Sequence, residues 1–390
     1  MNLLVIAPPT LPVPPFEGYG GTQRGIHDFL KYMPAHGHKI HLIAPGDSDV
    51  SDLENVILHP GTEFATRGEH ISVSERRKLN LEKEYRMNAL FLVSDLITSE
   101  KIDLINSRLP QPDFLNELKE GTRDIPVVTS LHTFNSSPGK VKVLNRLGDR
   151  FHFTAHCFNH MAQYGDLQNV QVLPYGIDVS AYPYSPLVLS QADSDPGLDV
   201  LRNIKENGKD YFIIVGRISQ KKGQKTAIEL VLNETDDDII IAGTPIERGK
   251  GKGGSKYLRD QIEPYLESER VHYFGNANED EKKDLLKYSK GFLFLSGFED
   301  RSWKEPFGRV IVEAMACGVP VLAFNYGSAT EIVDTGNSGF LFDNLEEAKS
   351  LIGHLSELER YSCRQGAETS FDAKRVASDY HKLFTQVVGN

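Results

Sequence analysis

The chain has 390 residues, 39% of them hydrophobic and 25% charged, and a formal net charge of −11. That length passes the ~250 to 300 residues at which single cores stop growing, so two domains are expected, and the acidic balance excludes nucleic acid as the main partner. No apolar run reaches the ~18 residues of a membrane span, and three scattered cysteines, Cys157, Cys317 and Cys363, exclude a disulfide scaffold or a Cys-rich metal site.

The opening MNLLVIAPP reads as a strand over 3–7, and without a basic segment before it no signal peptide is expected; the few, scattered cysteines point to a reducing cytoplasm. The loop PPFEGYGGTQ follows, where Gly18, Gly20 and Gly21 let backbone amides approach a ligand at the start of a helix over 23–33. It is not a dinucleotide fingerprint, because Gln23 stands where the third glycine is needed. Strands are expected over 40–44, 104–106, 127–131, 151–154 and 170–173, with helices over 78–98 and 112–120. Short apolar runs alternating with amphipathic stretches are the pattern of a parallel sheet covered by helices. Residues 67–86 carry six basic side chains (Arg67, Arg76, Arg77, Lys78, Lys83, Arg86), which suit a solvated helical face or a peripheral contact with an anionic membrane. His132 directly follows the strand over 127–131, a position where a lone histidine is more often structural than functional. His152, His156 and His160 have the spacing of a metal ladder on a helix, but His152 falls in a strand and no carboxylates accompany them, so no metal is expected.

Residues 178–207, rich in Pro, Ser and Asp and weak in periodicity, read as the region of a linker. Strands then resume over 211–215, 239–242, 272–274, 291–295 and 319–324, and a last helix over 372–388 carries Val376, Tyr380, Leu383, Phe384 and Val387 at helical spacing. The expected division is 1–180, a linker over 181–208, 209–371, and a C-terminal helix over 372–390.

Two constellations in the second half carry chemistry. After the strand over 211–215 comes GRISQKKG, with Gly216, Arg217, Lys222 and Gly223 at the end of a parallel strand, where open sheets bind ligands. Two cations there can neutralise the charge growing on a departing diphosphate, in place of a divalent metal; otherwise they are ordinary surface cations. Further on, Glu305 and Glu313 flank Pro306-Phe307-Gly308-Arg309, which reads as a tight loop entering a helix that Gly318 and Pro320 close. A helix start is an anion site, so a diphosphate can rest on the amides near Phe307, Gly308 and Arg309. Glu313 would then lie ~7 Å along the axis at ~1.5 Å per residue, within reach of ribose hydroxyls, and Glu305 at the sugar end. The plainer alternative makes Glu305 a solvated loop residue and Glu313 an exposed helix residue, although VIVEAMACGVPVLAF is a costly setting for an unpaired carboxylate.

These residues resemble the signature of the GT4 family, retaining glycosyltransferases of the GT-B fold. Its two glutamates, with seven residues between them, match Glu305 and Glu313 with Phe307, Gly308, Ala314, Ala316, Gly318, Pro320 and Val321 around them; Gly-Arg-x-x-x-x-Lys-Gly matches Gly216, Arg217, Lys222 and Gly223. Downstream, Glu331, Gly336 and Gly339 also match, and the Tyr-Gly-Gly loop with preceding prolines resembles the branch that includes the avilamycin glycosyltransferase. The resemblance implies an α/β protein of two Rossmann-like, doubly wound domains facing across a cleft: an N-terminal acceptor domain, a C-terminal nucleotide-sugar domain, and a last helix that crosses back. It implies metal-independent transfer of a hexose-type sugar from a nucleoside-diphosphate sugar to a saccharide, lipid-linked or small-molecule acceptor hydroxyl, whose proton passes to a phosphate oxygen. Arg217, Lys222, Glu305 and His132 are the expected catalytic set, with His132 touching the donor sugar near the reacting carbon. Gly20, Gly21, Thr22, Gly216, Phe307, Gly308, Arg309 and Glu313 are expected to bind the donor. An epimerase of sugar nucleotides or a disaccharide phosphorylase of related fold is the alternative. The chain departs from the family at His156 and Cys157, where serine is frequent, and at Tyr175, where asparagine is common.

Overall fold

A computed structural model describes residues 1–15, 20–66, 75–122, 124–132, 137–186, 188–189, 198–245 and 253–389. They form two units, Met1–Gly176 with Ala373–Asn390, and Ile177–Asp372.

The first unit is built on a seven-stranded, wholly parallel sheet. Its strands are β1 (Asn2–Ile6), β2 (Lys39–Pro45), β3 (Val56–Thr62), β4 (Leu104–Ser107), β5 (Val127–Ser130), β6 (Phe151–Ala155) and β7 (Val170–Val172), ordered β3-β2-β1-β4-β5-β6-β7. Alternation along β1 sends side chains to both faces. Leu3 and Val5 enter a core with Ile26, Phe29 and Leu30 of the helix Gly21–Tyr32, while Leu4 and Ile6 enter another with Tyr85, Ala89 and Val93 of the helix Glu75–Glu100. The C-terminal helix Ala373–Gly389 belongs to this unit and covers the first of these cores with Val376, Tyr380, Leu383, Phe384 and Val387. Tyr380 and Phe384 meet Phe29 edge-on at ring-centroid distances of 5.2 and 6.3 Å. At ~1.5 to 3 kcal/mol per buried large side chain, this face contributes on the order of 10 kcal/mol before the entropy cost of ordering the helix. The chain leaves and re-enters the unit at one place, where a Cβ on Gly176 would lie 2.8 Å from Ala373 Cα.

The second unit has a six-stranded parallel sheet: β8 (Tyr211–Val215), β9 (Asp238–Ala242), β10 (Val271–Gly275), β11 (Gly291–Phe294), β12 (Val321–Phe324) and β13 (Gly339–Phe342), ordered β10-β9-β8-β11-β12-β13. The order reverses between β8 and β11, so this is the switch point at which doubly wound sheets open a ligand crevice.

Two doubly wound sheets are what the alternating pattern predicts, with two additions. β3 escapes the sequence reading because it contains Pro60 and is half-exposed, as an edge strand tolerates; β13 has only four residues, Gly339–Phe342. The expected linker also holds structure. A helix, Asp199–Glu206, buries Leu201 and Ile204 in the second unit, its two turns hidden by the surrounding polar composition. Within the basic stretch, Arg67 lies outside the described residues and Arg86 pairs with Asp113 at 2.9 Å. Among the described residues no helix is long and apolar enough to cross a membrane.

Candidate active site

β8 ends at Val215, and the chain turns through Gly216, whose amide donates to the Ala242 carbonyl at 2.9 Å. A Cβ on Gly243 would stand 1.9 Å from the Gly216 carbonyl oxygen, so glycine at 243 is what lets the loops after β8 and β9 touch. Arg217 comes next, then a single turn of 3-10 helix, Gln220–Lys222. Gly223, at φ +73°, packs its Cα against Leu295 just past β11, which brings Lys222 to the switch point.

There the Lys222 ammonium forms an ion pair with Glu305 Oε2. The same carboxylate oxygen accepts hydrogen bonds from the Trp303 indole N–H and the Ser296 hydroxyl, each at 3.3 Å. The Lys221 ammonium and the Arg217 guanidinium lie 4.9 and 5.8 Å from the Trp303 ring centroid, within cation–π range. Burial pushes the Glu305 carboxyl upward, but Lys222, Trp303 and Arg217 outweigh it and hold the group below its usual range. Glu305 is therefore an ionised acceptor near neutral pH, unsuited to donate a proton. The loop after β12 closes on it: the Ser328 amide donates to the Glu305 carbonyl at 3.3 Å, and the Ser328 hydroxyl is buried with no hydrogen-bond partner among the described residues.

Gly308, at φ +71°, starts the helix Arg309–Ala316, with Phe307 buried edge-on against Phe371 at 5.7 Å. Glu313 lies in this helix and is buried, which overturns its reading as an exposed residue. Its carboxylate meets the Lys282 ammonium at 2.8 Å and Arg309 Nε at 3.6 Å. Lys282 comes from the helix Glu279–Lys287, whose start is fixed by a reciprocal Asn278–Glu281 capping box.

The second unit thus brings Arg217, Lys222 and Glu305 together and gives Glu313 its own pair of cations. In the first unit, Gly20 at φ +147° precedes the helix Gly21–Tyr32, and a Cβ there would lie 2.6 Å from Pro15 Cγ. Thr22 sits in that helix's first turn, and Gly18 falls outside the described residues. His132 meets Tyr175 and His156, two of the three positions at which the sequence departs from the pattern it resembles. His152 lies in β6 while His160 lies in the short helix Phe158–Ala162, so the three histidines share no helix face. Among the described residues no group of three metal-ligating side chains occurs. Asp47 accepts the Ala65 amide at 3.0 Å, Asp237 pairs with Lys290 at 2.7 Å and Asp238 with His272 at 2.6 Å, so these three carboxylates are engaged locally.

Sequence reasoning missed Ser296, Lys282 and Glu299. Lys282 sits in EDEKKDLLK, which looks like a solvated charged face, and its burial comes only from the packing of two helices. Glu299 accepts from the Thr226 amide and hydroxyl at 3.0 and 2.9 Å and so caps the helix Gln224–Glu234, which Gly223 cannot do. A glutamate just after a strand was the only available signal for it.

Two family models match the chain. "Glycosyltransferase Family 4" covers residues 19–181 and "Glycosyl transferases group 1" covers residues 201–367. Spore coat protein SA of Bacillus subtilis (strain 168) is 26% identical over 200 residues, 46% of this chain and 49% of that protein. The matches span half or less of the length of the first curated relatives. Among solved structures, AviGT4, a glycosyltransferase involved in Avilamycin A biosynthesis, superposes at a TM-score of 0.67 and 17% identity, covering 100% of this chain and 98% of its own. Alr3699/HepE of Anabaena, solved in complex with UDP-glucose, superposes at 0.69 and 19% identity, covering 99% and 100%. At these identities the likeness establishes the fold, which is GT-B.

Proposed function

The chain belongs to the glycosyltransferases of group 1 and family 4, and from that premise we propose that it moves a hexose-type sugar from a nucleoside-diphosphate sugar to an acceptor hydroxyl, retaining anomeric configuration and using no metal. The observation that carries this reading is the Lys222–Glu305 pair beside Arg217 at the switch point of the second sheet. An ammonium has three N–H donors, so Lys222 can bond Glu305 and still face a phosphate. Arg217, Lys222 and the amides near Phe307, Gly308 and Arg309 then stabilise the charge that appears as the diphosphate departs. The buried, unbonded Ser328 hydroxyl supports an anion or hydroxyl partner at the same place.

In this reading Glu305, held ionised, accepts hydrogen bonds from sugar hydroxyls, and Glu313, oriented by Lys282 and Arg309, accepts them from ribose. His132, Gly20, Gly21 and Thr22 contribute from the first unit. The bond between the anomeric carbon and the diphosphate oxygen breaks with its electron pair going to the diphosphate. The acceptor oxygen forms the new bond on the same face, and its proton passes to the departing phosphate oxygen. HepE binds UDP-glucose and sucrose synthases are among the curated relatives, which favours a nucleotide sugar as donor and a saccharide as acceptor. The three cysteines are buried and unbridged, which supports a reducing, cytoplasmic setting.

A thermal-shift panel of UDP, GDP, ADP and their sugars identifies the nucleotide through linkage, and proton NMR of the product reads the anomeric configuration. Donor turnover that survives both Arg217→Ala and Glu313→Ala would sink the proposal. Conversion of donor in the absence of acceptor would point to an epimerase.

A further inference from the structure

The carboxyl ends of β5, β6 and β7 are neighbours in the first sheet, and each delivers one ring to the same place: His132, His156 and Tyr175. The His156 and Tyr175 rings stack at 3.9 Å, and the His132 and His156 rings at 5.4 Å. His132 Nδ1 stands 2.5 Å from the Tyr175 hydroxyl and 3.3 Å from His156 Nε2, while His156 Nδ1 stands 3.3 Å from the Leu173 carbonyl oxygen. His132 Nε2 is buried and has no hydrogen-bond partner among the described residues.

These contacts favour one arrangement of the protons. A carbonyl oxygen only accepts, so His156 carries its proton on Nδ1 and presents a lone pair at Nε2. Burial first, and then Arg108 and the neighbouring histidines, hold both rings far below the usual histidine range, so each is neutral and has one N–H. A lone pair on His132 Nδ1 would face the lone pair of His156 Nε2. A proton there instead donates to the Tyr175 oxygen, with His156 Nε2 as second acceptor. The remaining nitrogen, His132 Nε2, is then an acceptor rather than a donor. It suits a hydroxyl and repels a phosphate oxygen.

We propose that the Leu173 carbonyl, His156 and His132 form a proton-ordered relay that presents His132 Nε2 as a hydrogen-bond acceptor for a sugar hydroxyl, with His156 and Tyr175 as positioning residues. The sugar rests on the function proposed above; the relay does not. His156 and Tyr175 are two of the three positions where the sequence departs from its family, which makes the relay a specificity device of this chain.

Long-range proton–nitrogen correlation NMR on the full-length, nitrogen-15-labelled chain reads the tautomer directly, with His132→Gln assigning the signal. The expected result is Nδ1–H at His132 in the wild type, retained in His156→Gln, whose amide oxygen can stand in for Nε2, and lost in His156→Phe, which keeps the stack alone. His156→Phe is expected to lower sugar transfer roughly 10-fold, about the size of one lost hydrogen bond, with His156→Gln restoring it and stabilisation by the free nucleotide unchanged in both. Nε2–H at His132 in the wild type overturns the relay whatever the His156 variants show. Unchanged transfer in His156→Phe despite a switched tautomer overturns its use for a sugar. A wild type with the relay intact but no transfer from any nucleotide sugar overturns the functional reading instead.

Discussion

Lys282→Met removes the cation that neutralises a buried carboxylate. The Lys282 and Glu313 side chains are 8% and 3% exposed with nitrogen and oxygen 2.8 Å apart, so neither charge is screened by water as a surface pair is. Deleting one partner of such a pair costs ~3 to 5 kcal/mol, because the other charge stays buried. Arg309 Nε remains 3.6 Å from the other carboxylate oxygen, which places the expected loss at the lower end, about 3 kcal/mol. For a unit of this size each kcal/mol moves the melting temperature by about 2–4 °C, so a fall of about 6–12 °C is expected. Urea unfolding of the wild type, Lys282→Met, Glu313→Gln and the double variant closes a double-mutant cycle. Glu313→Gln removes the charge itself, and the double variant should recover at least about 1.5 kcal/mol relative to the sum of the singles. Additive costs, or a Lys282→Met loss below about 0.5 kcal/mol, would show that the pair is not the buried, coupled unit argued here.

Glu305→Gln keeps the size of the side chain but removes the partner of the Lys222 ammonium, and donor turnover is expected to fall at least ~100-fold with the fold intact by circular dichroism, as for loss of a positioned charge at a reacting centre; turnover within a few-fold of wild type would refute its place in the site. Gly243→Ala puts a methyl group 1.9 Å from the Gly216 carbonyl, so the loop bearing Arg217 must move, and calorimetry is expected to show weaker nucleotide binding together with lower stability. If affinity is unchanged, the loop does not depend on that close approach. His38 is buried 2.9 Å from His381, and burial first, then the N-terminal amine, His381 and His36, lower its pKa from 6.5 to about 4. The unfolded chain therefore takes up a proton that the folded state refuses. This group's contribution is complete above pH 6.5 and is lost as the pH falls from 6.5 toward 4, by up to about 3 kcal/mol at 1.36 kcal/mol per pH unit. His38→Gln should flatten the stability slope over that window, and an unchanged slope would rule His38 out as its source.

Much of the fold could be read along the chain because parallel strands buried on both faces leave short apolar runs, as in IIVGR and GFLFL, and helices leave amphipathic ones. The site motifs were equally legible, since a positive-φ glycine at 308 and the cations after β8 are local requirements of one turn each. Elements without a strong local signal were not: β3 mixes Pro60 with half-exposed side chains, and the helix Asp199–Glu206 has two turns inside a polar stretch.

What sequence by itself determined about this protein is that Arg217, Lys222, Glu305 and Glu313 stand on strand-turn-helix steps of the second unit, because backbone conformation and residue chemistry are local properties. Tertiary structure alone decided how those groups are spent. Glu305 is locked to Lys222 across 83 positions, and Glu313 to Lys282 across two helices. His132 is joined to His156 and Tyr175 only because β5, β6 and β7 lie side by side. Pairing of charges and ordering of protons depend on distances of ~3 Å between residues far apart in the chain, which only the packed sheets establish.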